Sequence, residues 1–246
     1  MPELALRPDQ LAAAASQAYP WLERIAAAAA GERTYLVGGA VRDLLLGRER
    51  GDVDVVVEGD AAALAGRLGG EIVEHERFRT AKATIDGVEV DLASARSETY
   101  AHPGALPEVS AADLEADLRR RDFTINALAL ALDGGPPIDR HGGLADLQAG
   151  RMRVLHERSF RDDPTRVLRG ARYAARFGFS PDEATDALAR ASDLTTVSED
   201  RRRAELRRIA AEPAAAQALE LLREWGVLEL EAERLRLAAE VATLAR

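Results

Sequence analysis

The stretch from Tyr35 to Val57, YLVGGAVRDLLLGRERGDVDVVV, constrains the fold of this chain more than any other. Its apolar run Tyr35-Leu36-Val37 stops on Gly38-Gly39. Two glycines let a backbone turn sharply and come close to a ligand. Val41 to Leu46 then predicts a short helix, closed by Gly47. A glycine turn that feeds a helix leaves N–H groups at the helix start, where an anion is welcome. After a loop, Asp52-Val53-Asp54 leads into Val55-Val56-Val57. Residues two apart on a strand share a face, so Asp52 and Asp54 stand side by side where a core strand begins. Carboxylates held that close repel unless a cation lies between them, and magnesium, an oxygen-seeking ion, suits the pair. Taken singly, these features have plainer readings. Gly-Gly after a strand is usually only a turn, and an isolated D-x-D is usually solvated surface. Their order joins a phosphate cradle to a metal grip.

The remainder of the chain limits what can surround this stretch. With 246 residues there is room for two modest domains rather than one small core. Aromatic residues make up only 4%, so Leu, Val and Ala must fill the interior. The absence of cysteine excludes disulfides, a thiol nucleophile and a cysteine zinc site, and it suits a reducing compartment. The first thirty or so residues lack a basic start followed by an apolar core and cleavage site, and no apolar run is long enough to span a bilayer. A cytoplasmic protein without membrane association is the expectation. Net charge is −9, which argues against a generic nucleic-acid binder. Between Arg119 and Arg208, however, 18 Arg stand against 14 Asp plus Glu, so the middle of the chain can face a polyanion while its flanks stay acidic. Lys82 is the only lysine.

Taken in order, residues 9 to 30 predict an alanine-rich packing helix. Asp60 is a good N-cap for a helix through Leu68, which Gly69-Gly70 ends. Glu71 to Glu74 predicts a short strand, and Thr80 to Ile85 with Val88 to Ala93 predicts a hairpin around Asp86-Gly87. Val88, Val90 and Leu92 fall on one face of that second strand and Glu89 and Asp91 on the other. Asp91 is either a third carboxylate beside the aspartate pair or a solvated strand residue. Ser94 to Ser110, with Pro103 and Pro107, predicts a long loop. Asp113 to Leu118 is helical. It precedes Arg119-Arg120-Arg121-Asp122, which leads into an apolar segment expected to be helical. Such an arginine cluster suits phosphate, ribose or RNA backbone, or is simply a solvated charge run. A short helix and a strand near Met152 to Leu155 follow. From Arg161 onward strand signals vanish. Asp163 and Pro164 open a helix that ends at Gly178, Ser180-Pro181 opens another, and Ser198-Glu199 a third. Two more run from Ala214 to Trp225 and from about Glu231 to the end. The pattern predicts an α+β domain over residues 1–155, a mixed sheet with flanking helices, and an all-helical domain over 156–246.

Five segments, LVGGAVRDLLLG with GDVDVVV, VEVDLASARSETY, DLRRRDFTINALAL, IDRHGGLADLQAGRMRVL and FRDDPTRVLRGARYAARFGF, cover roughly Thr34 to Phe179. In that order they resemble the class II tRNA nucleotidyltransferases and their relatives, the bacterial poly(A) polymerases. The resemblance implies a nucleotidyltransferase head followed by a helical neck. It implies transfer of a nucleoside monophosphate from CTP or ATP to the 3′-hydroxyl of RNA, with release of pyrophosphate. By resemblance, Asp52 and Asp54 hold the catalytic Mg²⁺ ions. Gly38, Gly39 and Arg42 contact the triphosphate. Arg121, Asp122 and Asn126 lie in the segment that recognises the ribose. Asp162, Asp163 and Arg166, with Arg169 one turn on, match the segment that reads the base. A carboxylate accepts from an exocyclic amine and a guanidinium donates to ring nitrogens or a carbonyl, so such a pair on one helix face can accept C and A and reject U and G. Here Asp162 stands where the family often has Glu. Family members usually continue into body and tail domains that grip tRNA. In this chain that hold is expected to rest on Arg169, Arg172, Arg176, Arg201 and Arg207, on a homo-oligomer, or on a partner.

Three functions from different classes remain open on these residues. The first is an RNA 3′-end nucleotidyltransferase acting on tRNA, in a CCA-, CC-, A- or poly(A)-adding form. The second keeps the fold and changes the acceptor to a small molecule or protein, against which the RRDFTINA and DDPTR segments speak. The third is a non-catalytic RNA-binding module, against which the intact Asp52 and Asp54 speak.

Overall fold

A computed structural model describes residues 4–48, 53–69, 73–75 and 79–228. Its elements are built around a seven-stranded sheet of order β3-β4-β5-β2-β1-β8-β9. The strands are β1 (Thr34–Val37), β2 (Asp54–Val57), β3 (Val73–His75), β4 (Thr80–Ile85), β5 (Val88–Ser94), β8 (Leu128–Ala131) and β9 (Ile138–Asp139). Only β2 and β5 pair in parallel; every other neighbouring pair is antiparallel. At the centre of the sheet β1 and, past Asp54, β2 are short and apolar because both of their faces are covered. Leu36, Val37, Val55, Val57 and Leu92 have no exposure.

Helices α1 (Leu11–Ala18), α2 (Leu22–Ala28), α3 (Gly39–Leu45), α4 (Ala61–Leu68), α5 (Leu114–Arg119) and α6 (Gly143–Ala149) flank the sheet. The alanine-rich start is two helices rather than one. Tyr19-Pro20-Trp21 interrupts it, since Pro20 has no N–H to continue the ladder. Asp60 caps α4 by accepting from the N–H groups of Ala62 and Ala63, and Gly69 ends it with φ 72°. Asp86 and Gly87 turn the β4–β5 hairpin with φ 52° and 81°. Val88, expected to share a face of β5 with Val90 and Leu92, is 42% exposed beside the Asp86-Gly87 turn, whereas Val90 and Leu92 are in the core. The strand expected at Glu71 begins, among the described residues, at Val73.

Two expectations fail for a common reason. The loop predicted over Ser94 to Ser110 contains β6 (Arg96–Thr99) and β7 (Glu108–Ala111), which pair with each other. These strands are polar and short, with no alternating apolar signal to read. The apolar segment after Asp122 is a 3₁₀ turn, Thr124–Asn126, followed by β8 rather than a helix. A short apolar run fits a strand buried between β1 and β9 as well as it fits a helix, and periodicity cannot tell them apart.

The chain divides into two compact units, Met1–Thr99 with Val109–Ala149 and Tyr100–Glu108 with Gly150–Arg246. The division falls at residue 149 rather than 155, and Tyr100–Glu108 belongs with the second unit. That unit contains β10 (Arg151–Met152), α7 (Ser159–Asp162), α8 (Thr165–Phe177), β11 (Ser180–Pro181), α9 (Glu183–Arg190), α10 (Glu199–Ala210) and α11 (Ala215–Glu224). It is not purely helical: Ser180-Pro181, expected to open a helix, pairs with β10 instead, and Asp182 caps α9 through the N–H of Thr185. The strand expected near Met152 to Leu155 is only Arg151–Met152. The last predicted helix, from about Glu231, lies outside the described residues.

Candidate active site

Asp54 is the first residue of β2 and is exposed, while the three valines after it are buried. It is in register with Val37 on one side, the residue just before Gly38, and with Asp91 of β5 on the other. Residues directly opposite on neighbouring strands project from the same face, so the carboxylates of Asp54 and Asp91 are neighbours. Lys82 of β4 is opposite Asp91, with its Nζ 3.3 Å from Asp91 Oδ1. Asp52 lies outside the described residues. Among the described residues no group of three or more His, Cys, Asp or Glu is gathered closely enough to hold a metal ion. The donor set that is present fits a hard divalent cation nonetheless: carboxylate oxygens of like charge, half-exposed, with a side open to phosphate oxygens.

One strand away the chemistry is closed rather than open. Gly38 has φ 66° and ψ −123°, a conformation that L side chains avoid. A Cβ there would also sit 2.6 Å from Arg121 Nη1. The glycine thus lets the backbone turn directly against a guanidinium. Gly39 is in turn packed beside the Arg42 guanidinium, which a Cβ would approach to 3.4 Å. Arg42 is 4% exposed. Its Nε and Nη2 donate to Asp43 at 2.8 and 3.0 Å, and its Nη1 donates to Asn126 Oδ1. Asn126 donates from Nδ2 to Asp122 Oδ1 at 2.9 Å, and Asp122 also accepts from the N–H of Phe123. Arg42, Asn126 and Asp122 therefore form one buried relay behind the glycine turn. Arg42 Nη1 serves this relay while its Nε and Nη2 serve Asp43, so each of its three nitrogens donates to a neighbouring side chain.

Arg121 donates from Nη1 to the Asn126 carbonyl at 3.5 Å and is held by Asp117 of α5 through Nη2 at 2.9 Å and Nε at 3.3 Å. Arg120 binds the other oxygen of Asp117 and also Glu98. Asp117 has no side-chain exposure. Burial alone would push its carboxyl up, but the Arg121 and Arg120 guanidiniums and their hydrogen bonds prevail and hold it below the ordinary carboxylate value.

In the second unit Asp163 and Arg166 stand at the start of α8, where the Arg166 N–H donates to the Asp163 carbonyl at 3.0 Å. Asp163 Oδ1 accepts from the N–H and hydroxyl of Thr165 at 3.0 and 2.6 Å and from Arg201 Nη2 at 2.8 Å. Arg166 is buried and donates to Ser159 Oγ at 3.0 Å and to the Tyr100 hydroxyl at 3.5 Å. Asp162 pairs with Arg158. Arg201, expected to meet RNA, spans Asp163 and the carbonyl of Gly104, 2.9 Å away. Arg172 and Arg176 both bind Glu212, at 3.3 and 2.9 Å, with Arg172 also 4.5 Å over the Tyr173 ring. Arg169 lies on α8 at intermediate burial.

Sequence reasoning missed Asp117, Asp43, Tyr100, Ser159 and Glu212 as partners. Asp117 had a signal, since it stands three and four residues before Arg120 and Arg121 on a helix. The others had none. Arg42 and Asn126 are 84 positions apart, and Arg201 and Gly104 are 97 apart.

Residues 34–153 match the Poly A polymerase head domain. It is similar to the A-adding tRNA nucleotidyltransferase of Aquifex aeolicus (strain VF5), 44% identical over 208 residues, which are 80% of this chain and 25% of that protein. It is also similar to the CC-adding tRNA nucleotidyltransferase of Deinococcus radiodurans, 45% identical over 203 residues, 78% of this chain and 53% of that one. Among solved structures, an apo form of a CCA-adding enzyme superposes with a TM-score of 0.81 at 37% identity, over 88% of this chain and 56% of the other. The chain thus spans about a quarter to a little over half the length of these relatives. No helix among the described residues is long and apolar enough to cross a membrane.

Proposed function

We propose that the chain is a template-independent nucleotidyltransferase that adds C, A or both to the 3′ end of tRNA in the cytoplasm, from CTP and ATP. The RNA 3′-oxygen attacks the α-phosphorus. The bond from that phosphorus to the oxygen bridging to the β-phosphate breaks, pyrophosphate leaves with the electron pair, and the hydroxyl proton passes to solvent. The observation that carries this reading is the placement of exposed Asp54 between Asp91 and the residue preceding the Gly38 turn. Asp52, Asp54 and Asp91 would hold Mg²⁺, which when bound neutralises charge on the attacking and leaving oxygens. The turn at Gly38-Gly39 accepts the phosphates, with Arg121 beside it. Asp122 and Asn126, kept in place by Arg42, meet the ribose. In the second unit Asp163 and Arg166 select bases that carry an exocyclic amine. Three donors occupy Asp163 Oδ1, which leaves Oδ2 as the acceptor. We assign chemistry to the first unit as head and base selection to the second as neck.

The test is nucleotide incorporation with magnesium, single and mixed NTPs, and tRNA transcripts ending before CCA, after C or after CC. Incorporation of C or A by the wild type, reduced at least about a thousandfold by Asp54→Ala, is expected for a residue that holds the metal. The names of the relatives cover A-, CC- and CCA-adding forms, and the transcript that is extended decides among them. Equal inactivity of wild type and variant on every transcript would refute the catalytic reading.

A further inference from the structure

The register across the sheet sets Val37, Asp54, Asp91 and Lys82 in one row, on β1, β2, β5 and β4 in turn. Strands are about 4.8 Å apart, so the row reaches roughly 14 Å from β1 to β4. Gly38, the phosphate turn, continues directly from the β1 end. In-line displacement places the attacking oxygen and the leaving pyrophosphate on opposite sides of the phosphorus. With pyrophosphate toward Gly38, the RNA terminus arrives from the other end, over Asp91 and Lys82.

That end has the chemistry for it. One face of β4 presents Thr80, Lys82 and Thr84, none of them buried. The opposite face, Ala81, Ala83 and Ile85, is 1% exposed at each position and anchors the strand in the core. Two hydroxyls flank the ammonium of the chain's only lysine. Asp91 steadies that ammonium over the sheet, and at 43% side-chain exposure it keeps a solvent-facing side. A compact cation on a long stem is suited to a point contact with a phosphate that shifts as the RNA end advances. We propose that Lys82 is a positioning residue for the RNA acceptor. Its ammonium contacts the backbone phosphate behind the 3′-terminal nucleotide and sets the 3′-hydroxyl against the α-phosphorus. The proposal rests on the reading of the chain as an RNA nucleotidyltransferase.

The experiment is fluorescence anisotropy of a labelled tRNA minihelix ending in CC, titrated with wild type, Lys82→Ala and Lys82→Arg in EDTA over a range of potassium chloride concentrations. Removal of one phosphate contact should weaken binding about fivefold at low salt and reduce the salt slope by about one. Lys82→Arg, which retains the charge, should restore both. Melting temperatures should agree among the three proteins, and in the incorporation assay KM should rise for RNA but not for CTP or ATP. Equal affinity and slope for wild type and Lys82→Ala would overturn the proposal. So would an arginine variant as weak as the alanine one, a KM defect confined to the nucleotide, or a wild type that does not bind the minihelix. Failure of the enzymatic reading is distinct: RNA binding intact, with wild type and Asp54→Ala equally inert in incorporation.

Discussion

The two sides of the β1–β2 pair solve opposite problems. Behind β1, Arg42, Asp43, Asn126 and Asp122 are buried, and each charge meets a partner. On the far side of β2, Asp54, Asp91 and Lys82 project from one face at the exposed end of the row. The closed side is a scaffold, because low dielectric and several hydrogen bonds fix its geometry before any ligand arrives. The open side sets like charges next to each other and draws one lysine to them. It is the side that gains most from a bound cation. A site of this kind divides its labour: rigidity is buried in α3 and the turn from Asp122 to Asn126, and the unfavourable electrostatics that a ligand relieves are exposed on β2 and β5.

If that division is right, the same kind of substitution should have unequal costs on the two sides. Arg42→Ala is the largest expected effect. It leaves Asp43 without its bidentate partner and Asn126 without its donor, in a site where Arg42 is 4% exposed. Loss of one member of a buried ion pair costs about 3–5 kcal/mol. Urea denaturation should show the midpoint falling accordingly, with the slope unchanged. A loss below about 1 kcal/mol would mean that the relay is solvated, and the contrast between the two sides would fail.

The parts of the fold that were legible in the sequence are those whose cause is local. Asp60, Asp86-Gly87, Gly69 and Gly178 act on backbone within a few residues, and each lies at the boundary or turn that it predicts. The Pro20 interruption was equally local and was passed over because the alanine run on both sides reads as one helix. The illegible parts depend on what a segment packs against. Leu128 to Ala131 is a strand only because β1 and β9 border it, and the β6–β7 pair carries no periodic apolar signal. The candidate site divides in the same way. Residue types and short spacings pointed to Gly38 and Asp54 as candidates, and the family resemblance to Asp163. They could not tell that Arg42 faces Asn126 across 84 positions, or that Arg201 holds Asp163 and Gly104 together.

The second effect is smaller and pH-dependent. Asp117 titrates below its ordinary value in the native state, because the guanidiniums of Arg121 and Arg120 outweigh the cost of burial. The unfolded chain therefore takes up this proton at higher pH than the folded one. The stabilisation is complete above the unfolded value, near 3.8, and is lost as pH falls through the lower native value. Unfolding free energy measured from neutral pH down to pH of about 3 should fall in that acid range, by up to about 1.4 kcal/mol per pH unit from this one group. Asp117→Asn, less stable at neutral pH, should have a shallower acid limb by that amount. Parallel limbs for wild type and variant would place the acid sensitivity in other carboxylates.

The smallest expected effect sharpens the comparison most. Asp54→Asn removes a charge at an exposed strand start whose neighbour in register is another aspartate. A scaffolding residue would lose stability on this change. A residue kept for a ligand would lose little, because two adjacent carboxylates repel each other until a cation binds between them. Stability in the absence of divalent ions should stay within about 0.5 kcal/mol of wild type, the usual range for surface substitutions. Added magnesium should raise the melting temperature of wild type and not of Asp54→Asn, since a cation bound only by the native state stabilises it by mass action. A variant that loses several kcal/mol without magnesium would make Asp54 part of the scaffold. One that still gains from magnesium as wild type does would move the cation away from β2.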